Sequence, residues 1–77
     1  MKVTVFTKDG CGLCRDAEEM VLRLQKKIRF ELDFVDIDTD PVVYDRYRDR
    51  VPVVAVDGKE VAAAPLDEPR LKAILAP

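Results

Sequence analysis

The sequence predicts a single α/β domain in the order βαβαββα, a four-stranded mixed sheet with helices on both faces. Three observations carry this. Residues 2–7 (KVTVFT) form a run rich in β-branched side chains that reads as a strand, and from Gly12 the apolar residues switch to helical spacing. Residues 30–37 (FELDFVDI) then alternate apolar and polar, so a strand, a helix of roughly fifteen residues and a second strand make a parallel unit with a right-handed crossover. Asp57-Gly58, set between Val53–Val56 and Glu60–Ala63, is a hairpin signal that adds an antiparallel pair.

The elements follow in order. Lys8-Asp9-Gly10 is a turn. Leu13, Ala17, Met20, Val21, Leu24 and Ile28 fall on one face of the first helix; Asp16, Glu18 and Glu19 lie early in it, and Arg23, Lys26 and Lys27 late, which complements its dipole. Asp40-Pro41 supplies an N-cap and a first-turn proline for a short helix over 42–49, with Val43 and Tyr47 one turn apart. Tyr44 and Tyr47 read as packing residues, and Asp45 to Arg50 (DRYRDR) as a solvated face with local ion pairs. Leu66, Leu71, Ile74 and Leu75 form the apolar face of a closing helix, capped by Asp67 or a neighbour, with Pro69 tolerated in the first turn. Asp36, Asp38 and Asp40 alternate as in a calcium loop, but Pro41 stands where the loop needs Gly and Tyr47 where it needs Glu, so they read as a strand-end turn.

At 77 residues the chain is one domain, 1–77, large enough to bury roughly 60% of its unfolded surface. Thirteen basic against fifteen acidic residues leave a net charge of -2, which gives no electrostatic case for nucleic acid or an anionic membrane. No apolar run approaches the roughly 20 residues of a membrane span. Met1 to Gly10 carries Lys2, Lys8 and Asp9 and does not read as a signal peptide. The expectation is a cytoplasmic monomer, where a cysteine pair is catalytic, redox-sensing or metal-binding rather than a structural staple. Histidine is absent, which removes the commonest general base and metal ligand, and two cysteines alone cannot close a four-ligand zinc site.

Cys11-Gly12-Leu13-Cys14 lies where the first strand hands over to the first helix. At that point unsatisfied backbone N–H groups and the positive end of the dipole favour a thiolate on Cys11, and Lys8, three residues upstream, adds positive charge. Cys14, one helical turn deeper, is expected to be buried and positioned to attack a mixed disulfide on Cys11. Two unrelated core thiols or a metal-ligand pair are the alternatives. Pro52 opens the third strand, a position where proline is ordinary.

A dithiol after the first strand, Val51-Pro52 opening the third and a Gly-containing hairpin resemble, over essentially the whole chain, a glutaredoxin-type domain of the thioredoxin superfamily, most like the short bacterial glutaredoxin-like proteins. The resemblance implies the minimal thioredoxin fold and thiol–disulfide oxidoreductase activity. It implies that Cys11 is the nucleophile and Cys14 the resolving thiol. It also implies a cis Val51–Pro52 peptide beside the dithiol, and a Val51 backbone that pairs with an extended substrate. Lys8 matches the lysine that glutaredoxins carry before the first cysteine, and Asp67 stands where acidic residues meet the glutathione backbone. The implied substrates are disulfide-containing proteins or glutathione mixed disulfides. The implied reductant is glutathione, another thiol or a flavoprotein, with no tightly bound cofactor. Two departures stand out: Gly12-Leu13 replaces the usual Pro-Tyr, and Val61-Ala62-Ala63-Ala64-Pro65-Leu66-Asp67 lacks the usual Gly-Gly pair.

Two other uses of the same cysteines stay open. A Cu(I) chaperone of the ferredoxin-like kind also places CxxC between a strand and a helix, but that fold ends on a strand. An iron–sulfur carrier would hold its cluster through Cys11 of two chains and two glutathiones.

Overall fold

A computed structural model describes residues 1–76. Alternation along β1 (Lys2–Thr7) decides the architecture, because this strand feeds two cores. Val3 and Val5 point to one side and pack with Val21 and Leu24 of α1 (Gly12–Gln25) and with Leu71 and Leu75 of α3 (Glu68–Leu75). Phe6 points to the other, where Ile37, Val53 and Tyr47 of α2 (Pro41–Tyr47) gather. The Phe6 and Tyr47 rings stack with centroids 4.3 Å apart. Helices therefore cover both faces of the sheet.

The strands lie in the order β2-β1-β3-β4. β2 (Glu31–Asp36) runs parallel to β1, with Thr7 opposite Asp36. β3 (Val53–Val56) runs antiparallel to β1, with Phe6 opposite Val53. β4 (Lys59–Ala63) completes the hairpin. Asp57 and Gly58 both have positive φ, 50° and 86°, the type I′ geometry that matches strand twist. The β1 C-terminus, the β2 C-terminus and the β3 N-terminus thus share one end of the sheet. No helix is long and apolar enough to cross a membrane among the described residues.

Several sequence expectations need correction. The second strand stops at Asp36 rather than Ile37: the Asp36 carboxylate accepts the Asp38 N–H at 2.9 Å, turning Ile37–Thr39 into a 3-10 turn that seats Ile37 in the core. The short helix spans Pro41–Tyr47 instead of 42–49. Leu13 is 59% exposed and Ile74 is exposed, so the buried stripe of α1 is Cys14, Ala17, Val21 and Leu24. Arg48 pairs locally with Asp49 at 3.6 Å, whereas Arg50 reaches out of the run and grips Glu60 of β4 through two 3.0 Å hydrogen bonds. Asp67 occupies the N-cap of α3 by backbone angles, but its side chain makes no capping bond. An N-cap carboxylate accepts from the second or third helical N–H, and the second position here is Pro69, which has none. Asp40 succeeds where Asp67 does not because Pro41 sits at the first position, leaving Val42 and Val43 to donate at 2.9 and 3.5 Å.

Candidate active site

β1 ends at Thr7, and the chain turns through Lys8-Asp9-Gly10 before α1 begins. Gly10 has φ +74°, a conformation that favours glycine, and it swings the backbone into the helix. Cys11 is the N-cap: its carbonyl accepts the Arg15 N–H at 3.1 Å, and its sulfur accepts the Cys14 N–H at 3.1 Å. A thiol group thus does what a serine or aspartate oxygen does at most helix starts. Cys11 is half-buried and lines an open cleft of about 410 Å³ with Lys8, Asp9, Arg15, Glu18 and Asp36. Gly12 is exposed and a Cβ built there meets no atom within 4 Å, so approach past Gly12 is unobstructed.

Cys14 is its opposite. It is 1% exposed and faces the sheet. Burial pushes its thiol up to about 11, and the hydrogen bond that its S–H donates to the Cys11 sulfur adds to this; the Lys8 backbone N–H, directed at the Cys14 sulfur, pulls the other way. The negative charges of Cys11 and Glu18 raise it further, by less. Both cysteines are free thiols. The site therefore holds one accessible sulfur and, one helical turn deeper, one inaccessible and firmly protonated sulfur.

Of the other residues singled out in the sequence, Lys8 lies at the dithiol, with its ammonium 5.6 Å from the centre of the Tyr44 ring. Val51 lies two residues before β3, whose pairing with β1 begins at Phe6–Val53. The Val51–Pro52 peptide is cis, as is Ala64–Pro65. Pro52 is buried and its carbonyl accepts the Ala64 N–H at 3.0 Å. Val51 is half-buried, and among the described residues its N–H and C=O make no backbone hydrogen bond. Asp67 is not brought to the cleft. It lines a separate depression of about 300 Å³ with Ala62, Pro65, Leu66 and Arg70, while the neighbouring Glu68 pairs with Arg23 in the last turn of α1.

A family model described as Glutaredoxin-like domain (DUF836) matches residues 2–76. The chain belongs to this glutaredoxin-like family. An uncharacterised protein of Mycobacterium tuberculosis is 31% identical over 80 residues, covering 97% of this chain and 82% of that one. A Dictyostelium discoideum protein named glutaredoxin-like is 29% identical, covering 92% and 71%. Among solved structures, an X-ray structure of a protein from X. campestris has a TM-score of 0.81 at 35% identity, covering 97% of this chain and 99% of that one. A mutant thioredoxin from Halobacterium salinarum has a TM-score of 0.71 at 28% identity, covering 96% and 70%. This glutaredoxin-like chain has the minimal thioredoxin-like fold, with three helices on a four-stranded mixed sheet.

Glu18, Arg15 and Asp36 were not singled out from the sequence as site residues. Glu18 is the one with a readable signal, since it lies four residues after Cys14 on the same helix and hence on the same side. Asp36 reaches the cleft only through the β1–β2 register.

Proposed function

We propose that this glutaredoxin-like protein is a thiol–disulfide oxidoreductase that acts through Cys11 and Cys14 on disulfide-containing proteins or glutathione mixed disulfides. The observation that carries this reading is the asymmetry of the pair: an accessible sulfur at a helix N-cap in an open cleft, and a buried, protonated one a turn deeper. In the forward step the Cys11 thiolate attacks one sulfur of the substrate disulfide. The substrate S–S bond breaks, a Cys11–substrate bond forms, and the departing sulfur takes a proton. Cys14 then loses its proton and attacks the Cys11 sulfur; the second substrate sulfur leaves as a thiol and Cys11–Cys14 becomes the disulfide. An external thiol or flavoprotein supplies two electrons and two protons to restore the dithiol. Val51, whose backbone groups are unpaired, supports the docking of an extended substrate segment beside Cys11.

The experiment is reduction of a disulfide substrate by wild type and two variants. Cys11→Ser is expected to abolish turnover, and Cys14→Ser to accumulate a mixed disulfide at Cys11 detectable by mass. Full activity in Cys11→Ser refutes the proposal.

A further inference from the structure

The resolving step needs a proton removed from Cys14, and this is a chemical problem the cysteines do not solve themselves. A thiol that titrates near 11 is ionised in about one molecule in 10⁴ at pH 7. The chain has no histidine. Cys14 is 1% exposed, so bulk water does not reach it directly.

We infer that Glu18 is the general base for Cys14 in the resolving step, a catalytic role that rests on the proposed dithiol chemistry. Its placement supports this in three ways. Glu18 lies four residues after Cys14 on α1, a spacing that sets the two Cβ atoms about 5–6 Å apart on one side of the helix. It lines the cleft that contains Cys11, where the leaving sulfur of the substrate departs. It is half-buried, and among the described residues its carboxylate has no ion-pair partner.

The other charged groups around the cleft are less suited. Lys8 and Arg15 are cations, and the Lys8 ammonium is turned to the Tyr44 ring. Asp9 is exposed in the turn before the helix. Asp36 is exposed at the end of β2, and one of its oxygens already accepts the Asp38 N–H.

The step balances without a proton resting on Glu18. The Cys14 S–H proton passes to the carboxylate, directly or through one cleft water, as the Cys14 sulfur bonds to the Cys11 sulfur. The Cys11–substrate S–S bond breaks, and the same proton moves on to the departing substrate sulfur. The carboxylate is regenerated, and the pair Cys11–Cys14 is left oxidised.

A negative charge so placed also opposes a thiolate on Cys14, so a base and a mere neighbouring charge predict opposite signs on its removal. The test is the rate at which a mixed disulfide of Cys11 with a cysteine peptide releases that peptide, read by acid quench and mass, in wild type, Glu18→Gln and Glu18→Asp. General-base catalysis is typically worth 10²–10⁴-fold. Glu18→Gln is therefore expected to slow release about a hundredfold at pH 7 and to make the rate climb about tenfold per pH unit toward 11, with Glu18→Asp recovering part of the loss. Release at the wild-type rate or faster in Glu18→Gln overturns the inference. Formation of the peptide mixed disulfide by Cys14→Ser is measured alongside. If that adduct forms while Glu18→Gln resolves normally, only the role of Glu18 falls; if it never forms, the dithiol reading itself falls.

Discussion

Raising the pH should destabilise this protein through Cys14, and the size of the effect follows from its burial. In the unfolded chain the thiol titrates at its ordinary value of 9.0; in the folded chain desolvation, the first of several causes, raises it to about 11. Below pH 9 both states hold the proton, and the Cys14 contribution to stability is intact. Between 9 and about 11 the unfolded chain releases its proton while the folded chain retains it, so the unfolded state is progressively favoured. Above about 11 both are ionised and the loss is complete. At roughly 1.4 kcal/mol per pH unit the loss is on the order of 3 kcal/mol, a large share of the roughly 5–15 kcal/mol that holds a small domain together. The assay is urea denaturation of the fully reduced protein at a series of pH values, in wild type and Cys14→Ala. The other titratable groups are common to both proteins, and the difference between the two curves isolates Cys14. The alanine variant starts less stable because of its cavity, but its curve should be flatter by that amount across the interval. Parallel curves would show that Cys14 is not held protonated by the fold, and the asymmetry that orders the two thiols would lose its basis.

Two further outcomes follow from the same structure. Iodoacetamide at neutral pH should modify one thiol per reduced chain, located at Cys11 by peptide mass mapping, with Cys14 at least about a hundredfold slower because it is both inaccessible and protonated. Leu24→Ala removes a fully buried side chain from the core shared by β1, α1 and α3, and should cost about 2–5 kcal/mol in chemical denaturation.

The strand limits at Thr7, Val53 and Val56 and the position of the dithiol were legible because each is punctuated locally: a β-branched run, a Gly turn, a change of period. Leu13 misled because it is more hydrophobic than its neighbour Cys14. The two lie about a third of a helical turn apart, and the N-cap at Cys11 rotates the smaller residue, not the leucine, onto the sheet. Asp67 has a side chain suited to capping, yet a proline two residues on removes the donor it would serve. Arg50 with Glu60, and Asp36 beside Cys11, depend on which strands become neighbours, and spacing along the chain says nothing of that.

The central place of β1 also has a consequence in time. Its partners on one side, Val53 to Val56, are made about fifty positions after it, so a growing chain holds a strand with one open edge through most of its synthesis. Until β3 emerges, the α1–β1–β2 unit carries an unpaired, apolar edge next to two free thiols. Arrival of Val53–Val56 therefore covers the open edge of β1, and β4 then pairs on the far side of β3. The strand that leads into Cys11 thus gains its second neighbour only after the helix that carries both cysteines has been made.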